Sequence, residues 1–154
     1  MHQELISSSE MRAKIKKGVD TVSNAVKATL GPGGKTVIIT KEAYTTFTKD
    51  GVTVAKSVQM EDRFENVGAN AVIEAASKSN EQGGDGTTAA TALTQSLVGQ
   101  SFSAIDSGAS PVALSRGIKK ATDFVLAYLD KIATPIKTQE QIKNVASISA
   151  NDPI

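Results

Sequence analysis

The strongest constraint on what this chain can fold into is its helical period, which recurs in separate stretches, each closed by glycine or proline. Ser7 and Glu10 read as a capping box, and Met11, Ile15, Val19, Val22 and Val26 follow on one helical face until Gly31 and Pro32 stop the helix. The spacing Phe64, Val67, Ala71 and Ala75 predicts a second helix over about residues 62–82, ended by Gly83 and Gly84. A third starts after Asp85 and runs through Leu93, Leu97 and Ile105 to Gly108. Ser110 caps a fourth with Pro111 at its first position, and Leu114, Ile118, Ala121, Val125, Leu129 and Ile132 keep its period. Thr134 and Pro135 break it, and Thr138 with Gln141 offers a last capping box before Ile142 and Val145. Between the first two helices, the β-branched run 36–40 and the run 45–48 read as a hairpin across residues 41–44. Residues 52–59 fit either a strand or a short helix. The expectation is a mainly α protein of about five helices with one hairpin, which is too small to be stable unless it packs on the helices or on another chain.

Composition removes whole classes of function. The chain has 154 residues, 40% of them hydrophobic, the length and apolar content of one domain. Its 17 basic and 16 acidic residues leave a net charge of +1, which gives no global attraction to nucleic acid or an anionic membrane. Aromatic content is 4% with no tryptophan, so there are few platforms for stacking bases. The single histidine, His2, cannot assemble a serine–histidine triad or a multi-histidine zinc site. Cysteine is absent, which excludes disulfides and thiolate metal sites and fits a reducing cytoplasm. Neither a signal-peptide order nor an apolar run near 20 residues is seen, so a soluble cytoplasmic protein is expected.

Three short motifs carry chemistry. The stretch "TLGPGGKT" ends like a nucleotide-binding P-loop, but Thr29 stands where the first glycine belongs. Its order is also reversed, since a helix precedes the loop and a strand follows it, so the helix N-terminus that favours phosphate is missing. Local pattern favours a helix C-cap and turn. The stretch "GGDGTTAAT", residues 83–91, has the right polarity. Backbone amides of Gly86, Thr87 and Thr88 at a helix start suit phosphate oxygens, and Asp85 beside them suits an interposed hard cation, Mg²⁺. The plainer alternative is that Asp85 caps the helix. The third stretch, "TKDG" at 48–51, reads alone as a polar turn.

Taken in order, "VKATLGPGGKTVII", "TKDGVTVAKSVQMEDRFENVGA", "ASKSNEQGGDGTTAATAL", "SRGIKKAT" and "SISAN" resemble the group I chaperonins, the GroEL family, over nearly the whole chain. The resemblance implies that residues 1–154 are part of an equatorial domain. That is the mostly helical, ATP-binding and ring-forming part of a subunit, a multi-helix bundle with a β-hairpin stem loop. The final residues would lie near the start of the hinge domain, and the apical domain would be absent. Thr29, Leu30, Gly31 and Pro32 match the family's phosphate-contacting loop. Asp85 matches its Mg²⁺ ligand, and Gly86, Thr87, Thr88 and Ala89 its phosphate-binding helix start. Lys49 and Gly51 match positions near the nucleotide, Asp50 an acid implicated in hydrolysis, and Ile148 and Ser149 positions near the nucleoside. Thr29, Lys49 and Thr88 are the candidates for a monovalent cation such as K⁺. The hairpin from about Lys35 to Thr48 matches the stem loop that pairs with a neighbouring subunit.

The departures are also specific. Gly33 stands where the family usually has lysine, Gly84 follows Gly83, and Ala89 replaces a usual third threonine. The resemblance implies a chaperonin ATPase coupled to protein folding, with ATP and Mg²⁺ as cofactors and other chaperonin subunits as ring partners. Co-chaperonin and unfolded proteins would bind only through absent domains, and no nucleic acid or membrane is expected. The water-activating aspartate is not in the chain, so hydrolysis by it alone is not expected. A second reading is a truncated, non-hydrolysing protein that joins or regulates a chaperonin ring. On either reading, exposure of the apolar faces of Leu93, Leu97, Ile118 and Val125 is expected.

Overall fold

The computed structural model describes residues 6–31, 33–41 and 44–150. Its elements are α1 (Ser8–Lys27), β1 (Val37–Lys41), β2 (Tyr44–Thr48), α2 (Gly51–Ser57), α3 (Arg63–Gly83), α4 (Thr87–Asp106), α5 (Pro111–Ile132) and α6 (Gln139–Ala150). They fall into two compact units divided after Asp106. The open segment is settled as the short helix α2, because Asp50 accepts from the amides of Val52 and Thr53 and so starts a helical turn.

The first unit is built on α1, α3 and α4, with α2 packed against them. Its core is small: Val19, Val22 and Val26 of α1, Val54 and Ala55 of α2, and Ala69, Val72 and Ala76 of α3. The expected face of α1 is observed, with Met11 at its exposed margin. The expected face of α3 is displaced. Gly68, Ala69, Val72 and Ala76 are buried, while Val67 is 53% exposed and Ala71 is also on the outside. The reason is a crossing so close that only small residues fit. A Cβ on Gly18 would lie 1.8 Å from the Glu65 carbonyl oxygen, and one on Gly68 would lie 2.0 Å from that of Ile15.

Ion pairs flank the crossing. Lys17 bonds the buried Glu65 at 2.5 Å, and Lys14 bonds Asp62 at 2.6 Å while lying over the Phe64 ring. Asp62 also caps α3, and the Lys14 ammonium with the Glu65 and Phe64 amides holds its carboxyl below the ordinary value. On α4 the exposure expected of Leu93 and Leu97 is observed. Thr87 and Thr91 are its buried residues, whereas Leu93 is 64% exposed.

The hairpin is antiparallel with Val37 opposite Thr48 and Ile38 opposite Phe47, continuing to Lys41 opposite Tyr44. The strands thus take in Lys41 and Tyr44, and what remains of the expected 41–44 connection lies outside the described residues. Val37 and Ile39 pack towards the core, and Ile38 and Phe47 form an exposed pair on the opposite face.

In the second unit, Ser110 caps α5 with Pro111 at its first position, and α6 opens with a reciprocal capping box between Thr138 and Gln141. No residue of α5 is buried, and Phe124, Leu126 and Tyr128 are all more than half exposed.

Two glycine-to-alanine substitutions in helix interiors should have opposite effects. Gly18→Ala overpacks the crossing and should cost about 1–3 kcal/mol. Gly117→Ala, where nothing lies within 4 Å of the new methyl group, should stabilise by about 0.5–1 kcal/mol. Thermal unfolding followed by circular dichroism measures both, and equal midpoints for the two variants would remove the close crossing as the determinant of the core.

Candidate functional site

Three chain segments meet at Gly51. The space a Cβ would take there lies 3.1 Å from Thr88 Oγ1, 3.2 Å from Val26 Cγ1 and 3.4 Å from Thr87 Cγ2. The C-terminal end of α1, the start of α2 and the start of α4 therefore converge, although the sequence separates them by some tens of residues. Helix ends are where backbone polar groups lack partners inside their own helix, so the convergence gathers carbonyl acceptors from the end of α1 and amide donors from the starts of α2 and α4.

The α1 end is a tight turn. Thr29 donates its amide at 3.0 Å and its hydroxyl at 2.8 Å to the Val26 carbonyl, and the Leu30 amide bonds the Lys27 carbonyl. Gly31 takes a left-handed φ of 69°, and Gly34 and Lys35 donate back to Gly31 and Ala28. Gly34 is obligatory, since a Cβ would lie 2.1 Å from the Thr29 carbonyl oxygen. Gly33 is not, because nothing lies within 4 Å of it, so the lysine usual in group I chaperonins would fit. The turn is thus a helix C-cap, as its local pattern suggested, placed beside the other two segments. Leu30 is 54% exposed, and Pro32 lies outside the described residues.

At the second segment, the Asp50 amide donates to Thr48 Oγ1 at 3.0 Å, tying the hairpin's end to the start of α2. The Asp50 carboxylate accepts from the amides of Val52 and Thr53 and from the Thr53 hydroxyl. Partial burial raises its pKa, but the Thr53 hydroxyl and the two amides outweigh this, and the carboxyl is held below the ordinary value. Lys49 is exposed. On the hairpin side of α2, a cavity of about 210 Å³ is lined by Ile39, Tyr44, Thr46, Thr53, Lys56 and Ser57, none of them among the expected site residues.

The third segment differs from the other helix starts. Ser7, Asp50, Asp62, Ser110 and Thr138 cap their helices with side-chain oxygens. Asp85 does not cap α4. Its Oδ1 accepts the Gly86 amide at 2.6 Å, and Gly86, with φ 80°, holds the cap position and accepts from the Ala90 amide. Among the described residues, no side-chain oxygen accepts from the amides of Thr87, Thr88 and Ala89 at the first turn. They are oriented for an outside acceptor, and the helix dipole favours an anion there.

The residues also fit a magnesium ion of a particular kind. Among the described residues no three acidic or histidine side chains gather, which excludes a self-sufficient cage. One exposed carboxylate beside uncapped amides suits Mg²⁺, which keeps most of its waters and takes few protein ligands. Ile148 and Ser149 fall on α6 in the second unit, where Ile148 is 75% exposed and the Ser149 side chain lies outside the described residues. Sequence reasoning missed Thr53, although an aspartate ahead of a Gly-Val-Thr turn is a capping signal. It also missed Ser79, which donates to the Asp85 carbonyl at 2.9 Å and which no local pattern marks.

A sequence model of the TCP-1/cpn60 chaperonin family matches residues 22–153. The chain belongs to that family. Among solved structures it is similar to the chaperonin gp146 from the bacteriophage EL 2 (Pseudomonas aeruginosa), crystallised in the presence of ATP-BeFx. The TM-score is 0.71 at 26% identity, over 93% of this chain and 28% of that one. The chain therefore spans under a third of the length of this chaperonin, and the helical architecture with its hairpin is that of the chaperonin's corresponding part. No helix among the described residues is long and apolar enough to cross a membrane.

The Asp50 geometry predicts a pH dependence. Its folded pKa is lowered, so the cap's contribution is complete above the unfolded value and lost as pH falls through the folded one. Asp50→Ala should cost about 1 kcal/mol near pH 7. The gap to the parent chain should close as pH falls below the ordinary carboxylate range, read from urea unfolding at each pH. A gap that persists unchanged at pH 2 would show that the carboxylate is not the origin of the cap's stability.

Proposed function

We propose that this chain forms the phosphate-binding part of the ATP site of a chaperonin subunit and acts in ATP-dependent protein folding as part of a ring. The observation that carries this is the convergence at Gly51 of the α1 turn with two helix starts, one of which offers uncapped amides beside Asp85. On this reading Thr29, Leu30, Gly31 and Pro32 line one side of the phosphates. Gly86, Thr87, Thr88 and Ala89 supply amides and hydroxyls from the other, with Lys49 and Gly51 at the joint. Asp85 holds Mg²⁺, which neutralises phosphate charge when bound. Thr29, Lys49 and Thr88 are the candidates for a K⁺ ion, and Ile148 and Ser149 for contacts to the nucleoside. Asp50 serves hydrolysis from the α2 cap, and the water-activating acid comes from outside these residues.

Calorimetric titration of the purified chain with ATP and Mg²⁺ tests this reading, with Asp85→Ala alongside. Binding should weaken by about tenfold or more in the variant, the loss expected for a charged ligand group. Titrations that show no binding by the parent chain, or equal binding by the variant, would count against it.

A specific observation also favours an association role for the hairpin. Ile38 and Phe47, paired across the strands, are 60% and 67% exposed, a contiguous apolar surface that a neighbouring chaperonin subunit would cover. A protein that joins a ring without hydrolysing ATP would use the same surface. Ile38→Lys with Phe47→Lys should shift sedimentation towards monomer and abolish co-purification with full-length chaperonin subunits, without lowering the thermal midpoint. If sedimentation and co-purification match the parent chain, the hairpin face is not the contact.

A further inference from the structure

The turn between α3 and α4 carries the candidate cation ligand, yet little in its own sequence holds it still. Gly84 and Gly86 both have left-handed backbone, at φ 67° and 80°, and glycine enters that region at the cost of a large conformational freedom in the free chain. Asp85 between them is exposed. Two of the bonds that fix the turn are local, from the Gly84 amide to the Asn80 carbonyl and from the Gly86 amide to Asp85 Oδ1. One comes from a side chain on the body of α3: the Ser79 hydroxyl donates to the Asp85 carbonyl at 2.9 Å.

The same hydroxyl lies 3.2 Å from where a Cβ on Gly86 would stand, so serine oxygen and missing side chain are complementary in shape. Ser79 is half-buried and sits on the helix that packs most extensively against α1. It therefore connects the core to the peptide unit joining Asp85 to Gly86, whose carbonyl it bonds and whose amide the Asp85 carboxylate accepts, just ahead of the uncapped amides of α4.

We propose that Ser79 is the positioning residue of this turn, fixing the direction in which Asp85 presents its carboxylate to a cation-bound phosphate. This rests on the phosphate-site reading above. Ser79 touches neither phosphate nor cation, and it acts by removing the turn's freedom before the ligand arrives, which a bound ligand would otherwise have to restrict.

A merely structural serine and a positioning one predict different signs. Alanine is the better helix former, so Ser79→Ala should leave the thermal midpoint of the 154-residue chain unchanged or raise it. Its affinity for Mg·ATP should nevertheless fall about 3- to 10-fold, the range for one hydrogen bond. Affinity for ATP in EDTA should change less, because the loss is centred on Asp85. Ser79→Thr, which keeps the hydroxyl, should restore Mg·ATP binding to within about twofold of the parent. In the ligand-free chain, ¹⁵N heteronuclear NOE values at Gly84, Asp85 and Gly86 should drop in Ser79→Ala and recover in Ser79→Thr. Unchanged affinity together with unchanged NOE values in Ser79→Ala would overturn the proposal. If the parent chain itself binds no Mg·ATP, the phosphate-site reading falls. The NOE values then decide alone whether Ser79 holds the turn, a drop in Ser79→Ala supporting it and no change overturning it.

Discussion

The crossing of α1 over α3 is the constraint on which the rest of the first unit depends. Gly18 and Gly68 bring the two backbones so close that each would-be methyl group lies within 2.0 Å of a carbonyl oxygen on the facing helix. Helices that meet through larger side chains are separated by about 8–10 Å, and replacing those side chains by hydrogen lets the axes approach further. The valine and alanine stripe beside the crossing then closes without aromatic residues. Lys14 and Lys17 on one helix and Asp62 and Glu65 on the other pair across the flanks, so charge lines up only in the register that the glycines permit.

That register determines what stands at the helix ends. The end of α1, the start of α2 and the start of α4 meet at Gly51, which is itself too crowded for a side chain to enter without displacing Thr88, Val26 or Thr87. A shift of α3 along α1 would carry the α3–α4 turn with it and separate Thr87 and Thr88 from Gly51. The chain thus places its candidate site by the close backbone contacts that Gly18 and Gly68 allow, and the groups gathered there are largely backbone groups as well. This explains how Ala89 can stand where a threonine is usual in the group I chaperonins: its amide, not its side chain, is the donor that the helix start provides.

Much of this was legible in the sequence where a residue's own chemistry decides the outcome. Ser7, Ser110 with Pro111, and the Thr138–Gln141 box all mark helix starts as expected, and Gly84 ends α3 in a left-handed cap. What was not legible depended on a partner distant in sequence. On α3, Phe64, Val67, Ala71 and Ala75 keep as regular a helical period as Glu65, Ala69, Val72 and Ala76, so spacing alone does not choose between the two adjacent faces. The face that packs contains Gly68, whose value comes from the absence of a side chain opposite Ile15. On α4 the exposure of Leu93 and Leu97 was legible, but not that Thr87 and Thr91 fill the buried face, with the Thr91 hydroxyl satisfied by the Thr87 carbonyl. The three motifs were each ambiguous alone, because a glycine turn and a glycine phosphate loop share one local grammar. Only the family resemblance favours one reading over the other.

Asp50 illustrates how the fold narrows a chemical role. Family likeness associates an acid at this position with hydrolysis, and an acid can serve as base, as metal ligand or as fixed charge. A general base works best with a pKa near the operating pH, whereas the Thr53 hydroxyl and the Val52 and Thr53 amides hold this carboxyl below its ordinary value despite partial burial. Taking up a proton would weaken three hydrogen bonds that start α2. The geometry therefore favours a charged cap over a proton acceptor. Its amide is bonded to Thr48 at the hairpin's end, and the next residue, Gly51, abuts Thr87 and Thr88 at the start of α4. Two residues thus separate the start of α4 from the end of the hairpin. The same acid that anchors the candidate phosphate site on one side anchors the exposed Ile38–Phe47 surface on the other.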